Sequence, residues 1–336
     1  MKSTRNIKEF ILHNLSQHKK DIILAAITHF GISRQAVLKH MHALIKDNIV
    51  VAEGKTKDRT YHLRPQVNFN RTLQLNSEFL PHEIVNEKFL VHLKSLPKNI
   101  YGICEYSLEA LLNNIVDHAE ASNMYFKLFL TLDDLHIIIR DNGNGLFEKI
   151  KSKLKLRNIQ SAVLEIGKGK VTTDPESHSG YELYTVIHLF DKVKIDANGI
   201  SLTYEKENNL WGIEISEQKK GTRIHLQINP ESKRTCEQTF LRIFNNNNRV
   251  SIPINLLKRP GNNSVNSRLQ ANCIFNNIDN INEIEFDFNN INLIGPAFAD
   301  ELVRKTKLKN KTASIKWINC NETIDLLMKH ALSRLN

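Results

Sequence analysis

The stretch Asp141-Asn142-Gly143-Asn144-Gly145 sets one carboxylate and two glycines at the end of an apolar run, LHIIIR. A carboxylate there can accept hydrogen bonds, and the glycines let backbone approach closely whatever it holds. By itself the run can be an Asx turn at a strand end. A calcium loop is set aside, because Ser152 stands at the twelfth position, where that loop needs glutamate. About twenty residues upstream, Glu109, Asn113, Asn114, Asp117 and His118 flank an apolar stripe. Asparagine is a mediocre helix former, so two in a row ask for a reason beyond the helix itself.

The elements that must position these groups follow from periodicity. Leu108, Leu111, Leu112, Ile115, Val116 and Ala119 recur at helical spacing and are expected to face a core. MYFKLFLTL and LHIIIR read as strands, and YELYTVIHLF reads as a helix. Beta segments are expected at 192–196, 200–205, 210–216 and 222–228, with Asn198-Gly199 as a hairpin turn. Residues 147–180 read as a long variable stretch. From about 238 onward, strand and helix patterns alternate as in a small α/β domain.

The chain has 336 residues and 41% hydrophobic content, enough for two or three domains. Mean hydropathy is −0.35, and no apolar run approaches the roughly 20 residues of a membrane helix. No signal peptide and no membrane partner are expected, and four dispersed cysteines without a CxxC pair point to a reducing cytoplasm. Of the net charge of +10, residues 1–68 supply most, with 12 Lys and Arg against 5 Asp and Glu. Such a segment suits a polyanion, although a solvated basic surface has the same composition.

Residues 1–68 read as three helices and a hairpin. Gly31 makes a turn, Ser33 caps the next helix, and Val37, Met41, Leu44 and Ile45 share its inner face. IVVAEGKTKDRTYHL follows as strand, basic turn and strand. This order resembles the winged-helix family of DNA-binding domains. The resemblance implies double-stranded DNA as partner, with Ser33, Arg34, Gln35, Lys39 and His42 on the helix that enters the major groove. Arg34 and Gln35 would address base edges, while Lys55, Lys57 and Arg59 would meet phosphates. A homodimer on a two-fold site is expected. Residues 69–100 read as a connector punctuated by Pro81 and Pro97.

The asparagine helix followed by strands and DNGNG resembles the N box and first glycine box of the GHKL (Bergerat-fold) ATPase superfamily. The resemblance makes residues 101–232 a nucleotide-binding α/β sandwich with ATP and Mg²⁺ as cofactors. Asp141 would hold the adenine amino group, Gly143 and Gly145 would pass close to the nucleotide, and Thr222 in KGTRIHL would assist Asp141. Asn114, with Asn113 as the alternative, would bind Mg²⁺, and His118 would stand nearby. If Asn114 and His118 are the last two members of a Glu-Asn-His series at intervals of four, Ala110 stands where the general base belongs. Glu109 is the candidate base only in the slipped register that pairs it with Asn113. A helix turns about 100° per residue, so the two registers exclude each other.

KGKVTTDPESHSGYELYTV resembles the ATP-lid segment of bacterial proteins in which such an ATPase precedes a STAS-like domain of the DUF4325 type. There the motif reads like HSGEGIF; here Gly180 is kept and Glu182 replaces the second glycine. A carboxylate where backbone NH groups should cradle phosphate weakens triphosphate binding. IEFDFNNINLIGPAFADELVRK resembles the STAS-like domain itself, assigned to 238–336, which implies a protein partner. Its loop holds Gly295, Pro296 and Ala297 and no hydroxyl, so internal phosphotransfer is not expected.

The expected fold class is α+β and multidomain: winged helix, Bergerat sandwich, then STAS-like domain. The expected function is a cytoplasmic bacterial transcription regulator that binds ATP-Mg²⁺ as a switch, with a lid at 150–180 and slow or absent hydrolysis. The alternatives are a slow ATPase or anti-sigma-type kinase, and a scaffold with a degenerate site, as in phage defence.

Overall fold

A computed structural model of the chain describes residues 4–15, 17–55, 58–76, 79–171, 180–245, 249–278 and 282–334. The chain is α+β and divides into two compact units. Residues 1–70, 127–136 and 229–231 make one, and 71–126, 137–228 and 232–336 make the other.

In the first unit, helices α1 (Thr4–Asn14), α2 (Ile22–Phe30) and α3 (Arg34–Lys46) precede the hairpin strands β1 (Val50–Glu53) and β2 (Thr60–Leu63). Ile11, Ile22, Ala26, Val37, Met41, Leu44 and Val50 are its fully buried centre. Gly31 adopts φ 62° and sends its N–H to the Ile27 carbonyl, ending α2 as a left-handed cap. Ser33 then caps α3 by accepting from the Ala36 N–H at 3.3 Å. The strands pair antiparallel from Val50 opposite Leu63 to Glu53 opposite Thr60.

Beyond it come β3 (Val67–Gln74), the short α4 (Pro81–Ile84), α5 (Lys98–His118), β4 (Asn123–Leu130) and β5 (Leu135–Asp141). Helices α6 (Leu146–Lys153), α7 (Ile159–Lys168) and α8 (Glu182–Leu189) follow, then β6 (Lys192–Ala197), β7 (Ile200–Glu205), β8 (Leu210–Ile215) and β9 (Thr222–Ile228). Among the described residues a seven-stranded sheet has the order β3-β4-β5-β9-β6-β7-β8. Strand β6 pairs antiparallel with both β7 and β9. Helix α5 buries Ile100, Ile103, Leu108, Leu111, Leu112 and Ile115.

Four expectations are corrected here. The segment expected as a connector holds a strand, whose apolar Val67, Phe69 and Leu73 alternate with exposed polar residues, and short helical turns over 81–92. The stretch expected as variable, and as a lid, contains α6 and α7. In α7 all seven residues from Ser161 to Gly167 are buried, so that helix is core. Val116 is 45% exposed rather than buried. It stands one position past Ile115, beyond the edge of the covered face.

The fourth correction concerns α9 (Cys236–Phe244), expected in the C-terminal domain. It packs on α5 and α8 instead, through Tyr106 edge-on to Phe240 at 5.1 Å and Tyr181 to Phe244 at 5.3 Å. The C-terminal sheet begins after it, with β10 (Arg249–Pro253), β12 (Glu283–Asp287) and β14 (Ser314–Ile318) all parallel. A small parallel pair joins β11 (Ser264–Val265) to β13 (Leu293–Ile294). Parallel neighbours need crossovers, supplied by α10 (Arg268–Ile274) and α11 (Pro296–Lys309), while α12 (Glu322–Ser333) packs on α11.

Helices α5 to α8 and the C-terminal sheet lie in one unit, and within it α7 packs against β10 and the turn after it. Gly167 allows this closeness, since a Cβ there would run into Leu256 and Pro253. Lys168 donates to Glu165 at 2.6 Å and to the carbonyls of Ile274 and Asn276 at 3.1 and 2.6 Å. Gln160 reaches the carbonyls of Leu256 and Lys258 at 2.9 and 2.6 Å. Burial pushes the Glu165 carboxyl up and the Lys168 ammonium down, and their contact opposes both shifts.

Candidate functional site

Strand β5 carries Asp141 to its end, and α5 brings Asn114 to the same place. Both line one pocket, together with His118, Gly145, Gly180 and Thr222. Leu111, Ile115, Leu146, Ile150, Leu183 and Ile224 supply its apolar wall. The enclosed part holds about 90 Å³, and about 830 Å³ with the space open to solvent.

Asp141 is 4% exposed. Its Oδ1 accepts from the Gly143 N–H at 2.8 Å and the Thr222 N–H at 3.2 Å. Burial pushes the carboxyl above its usual range, and those N–H groups pull it part of the way back. The Thr222 hydroxyl accepts from the Leu146 N–H at 2.9 Å, tying the end of β9 to the start of α6. Asn198, at the hairpin turn, donates to the Asn144 carbonyl at 2.9 Å and accepts from the Glu148 N–H at 3.1 Å. The loop is therefore clamped on several sides before any ligand arrives.

The glycines have separate duties. A Cβ at Gly143 would strike the Ala119 carbonyl at the end of α5, and Gly143 does not line the pocket. Its expected closeness to a ligand is thus replaced by closeness to a helix end. Gly145, at φ 87°, lines the pocket and abuts the Asn198 side chain. Gly221, at φ 72°, lets the turn before β9 lie against the Asp141 carbonyl.

Gly180 lines the pocket at φ 82°, but its N–H is spent on the Glu182 carboxylate at 3.0 Å. The acid also lines the pocket, so a fixed negative group stands where an incoming anion would seek that donor. Lys149 sits at the pocket as well and pairs with Glu120 at 2.6 Å, holding the Glu120 carboxyl below its usual range.

Asn113 is exposed and outside the pocket lining, one helix position from Asn114. Glu109 is outside it too; its carboxylate meets the His82 ring at 2.5 Å. Neither residue of the slipped register reaches the pocket, because each stands about 100° around the helix from its neighbour in the other register. Sequence reasoning missed what Lys149, Asn198 and Gly221 do at this site, although Asn198 was read as part of a turn and Gly221 stood inside KGTRIHL.

On α3, Arg34, Gln35, Lys39 and His42 are exposed on one side, as are Ser33 before it and Lys55 and Arg59 in the hairpin. Arg59 lies 5.5 Å from the centre of the Tyr61 ring. Lys57, His178 and Ser179 lie outside the described residues.

In the C-terminal part, Gly295 and Pro296 open α11 after β13, and Phe298, Leu302 and Val303 are buried from it. Asp287, at the end of β12, accepts from the Asn289 N–H and the Asn319 side chain, both at 2.9 Å. Residues 270–325 match the family described as a STAS-like domain of unknown function (DUF4325). The match takes in α10 through the start of α12. Curated proteins show no match to the chain. No described helix is long and apolar enough to cross a membrane.

Proposed function

We propose that the chain is a nucleotide-responsive DNA-binding regulator, built as a winged helix, a GHKL-type sandwich and a STAS-like domain. The observation that carries the reading is that Asn114, Asp141 and Thr222, three residues from distant parts of the sequence, line one pocket with Gly145 and Gly180. A buried carboxylate whose partners are backbone N–H groups suits the amino edge of adenine, and the apolar wall suits its ring faces. Asn114 would hold Mg²⁺ only together with phosphate oxygens. Nucleotide acts as a switch if one arrangement of the chain binds it better than another, and that arrangement differs in DNA affinity.

Hydrolysis is not supported. Ala110 stands four residues before Asn114, and Glu109 is engaged by His82. The reading is tested by calorimetric titration with a non-hydrolysable ATP analogue and Mg²⁺. Asp141→Asn is expected to weaken binding ~10-fold or more, about 1.4 kcal/mol, and Asn113→Ala to leave it unchanged. Equal affinity in wild type and Asp141→Asn removes the nucleotide role.

A further inference from the structure

A second cavity in the same unit has a different chemistry. It is an open cleft of about 650 Å³, against about 90 Å³ for the Asp141 pocket. Tyr184 and His188 from α8, Tyr204 from β7, Lys206 just after β7, Arg242 from α9 and Lys170 all line it. Among the described lining residues one carboxylate occurs, Glu285, and Arg249 engages it. Cations thus outnumber carboxylates among the described lining residues.

The aromatic side is closely packed. Tyr184 stacks on Trp211 at 6.4 Å, and Tyr204 meets the same indole at 4.8 Å. The His188 ring lies 4.1 Å from that of Tyr184, and its Nδ1 is 2.8 Å from the Tyr184 carbonyl. Lys206 donates to the His188 carbonyl at 3.0 Å, which fixes its ammonium at the cleft. Fixed cations beside packed rings are the combination that holds a phosphate group and a flat ring together.

We propose that this cleft binds a small phosphate-bearing ligand, its phosphate between Lys206, Arg242 and Lys170 and its planar part along the tyrosine side of the cleft. The cleft borders both the sandwich and β10, so its occupant touches the two parts that α7 already joins. The electrostatics agree: burial, then the charges of Arg242 and Arg234, bring Lys206 down to about 8, with Asp191 opposing. An anion in the cleft relieves that repulsion. The proposal is independent of the Asp141 pocket.

The test is calorimetry on the full chain without Mg²⁺, with inorganic pyrophosphate and GDP as probes. One arm reads phosphate alone and the other phosphate with a ring. Wild type is expected to bind both, GDP more tightly. Lys206→Gln with Arg242→Gln is expected to weaken both ~10-fold or more, and Asp141→Asn to change neither. Should the double variant fail to fold, Lys170→Gln at the exposed rim is expected to weaken pyrophosphate ~3-fold, an effect largely lost at 1 M salt, where the Debye length is about 3 Å. No heat from either probe with wild type overturns the proposal. So does equal affinity in the folded cleft variants, or GDP binding that disappears in Asp141→Asn alone.

Discussion

Glu182 decides what the Asp141 pocket tolerates at its Gly180 end. Two unit charges 4 Å apart at an effective dielectric of 20 interact by about 4 kcal/mol, so a fixed carboxylate there opposes an incoming phosphate. It also consumes the Gly180 N–H. Glu182→Gly is expected to tighten binding of the ATP analogue with Mg²⁺ by ~10-fold or more, read by calorimetry, while Glu182→Gln gives an intermediate gain. A second single-residue effect belongs to His188. Burial brings its pKa down to about 3 from 6.5, outweighing the Tyr184 carbonyl that favours the charged form. The unfolded chain therefore binds the proton more readily. The neutral ring's contribution is fully present above pH 6.5 and is lost as pH falls toward 3. His188→Phe is expected to flatten that loss, on the order of 5 kcal/mol in full at about 1.4 kcal/mol per unit, of which roughly 3 falls in urea melts between pH 7 and 4.

Helix α7 is where local pattern and tertiary role part company. Lys168 and Glu165 are almost fully covered, at 5% and 1% side-chain exposure. Removing one partner of a buried pair leaves a bare charge, so Lys168→Ala is expected to cost about 3–5 kcal/mol in denaturant melts, with Leu164→Ala costing about 2–5 kcal/mol. A surface lysine would cost almost nothing. Sequence reading could find α5, because one apolar face and one polar flank leave a period. It missed α7 although Ile159, Ala162, Val163 and Ile166 recur at helical spacing; what local pattern does not carry is that its polar groups answer to carbonyls about 100 residues away. The same limit hid Asn198, whose turn position was legible but whose bonds to the Asp141 loop are not local. Asp141 and Thr222 stood out because one closes and the other opens a strand, and Gly145 because it follows Asp141 within DNGNG. The choice between Asn113 and Asn114 also followed from the helix stripe.

At the scale of the whole molecule, residues 1–68 hold 12 Lys and Arg against 5 Asp and Glu, and there α3 and the hairpin expose their cations. Arg34→Ala is expected to cost about 1–3 kcal/mol on a specific site and to relax sequence preference. Arg59→Ala is expected to weaken binding to all duplexes and to reduce the slope of log K against log salt by about 0.9. Fluorescence anisotropy across a salt series separates the two, and unchanged slopes in both variants remove the DNA role.

The cover that β10 lays over α7 also has a consequence in time. A ribosome finishes Lys168 well before it reaches Arg249, a delay of roughly 4–16 s at ~5–20 residues per second. Through that interval the nascent helix has α6 and then α8 beside it, but the side that β10 and the following turn cover stays bare. A stop codon placed between the two would leave it so permanently, and the shortened product is bound for chaperones or inclusion bodies.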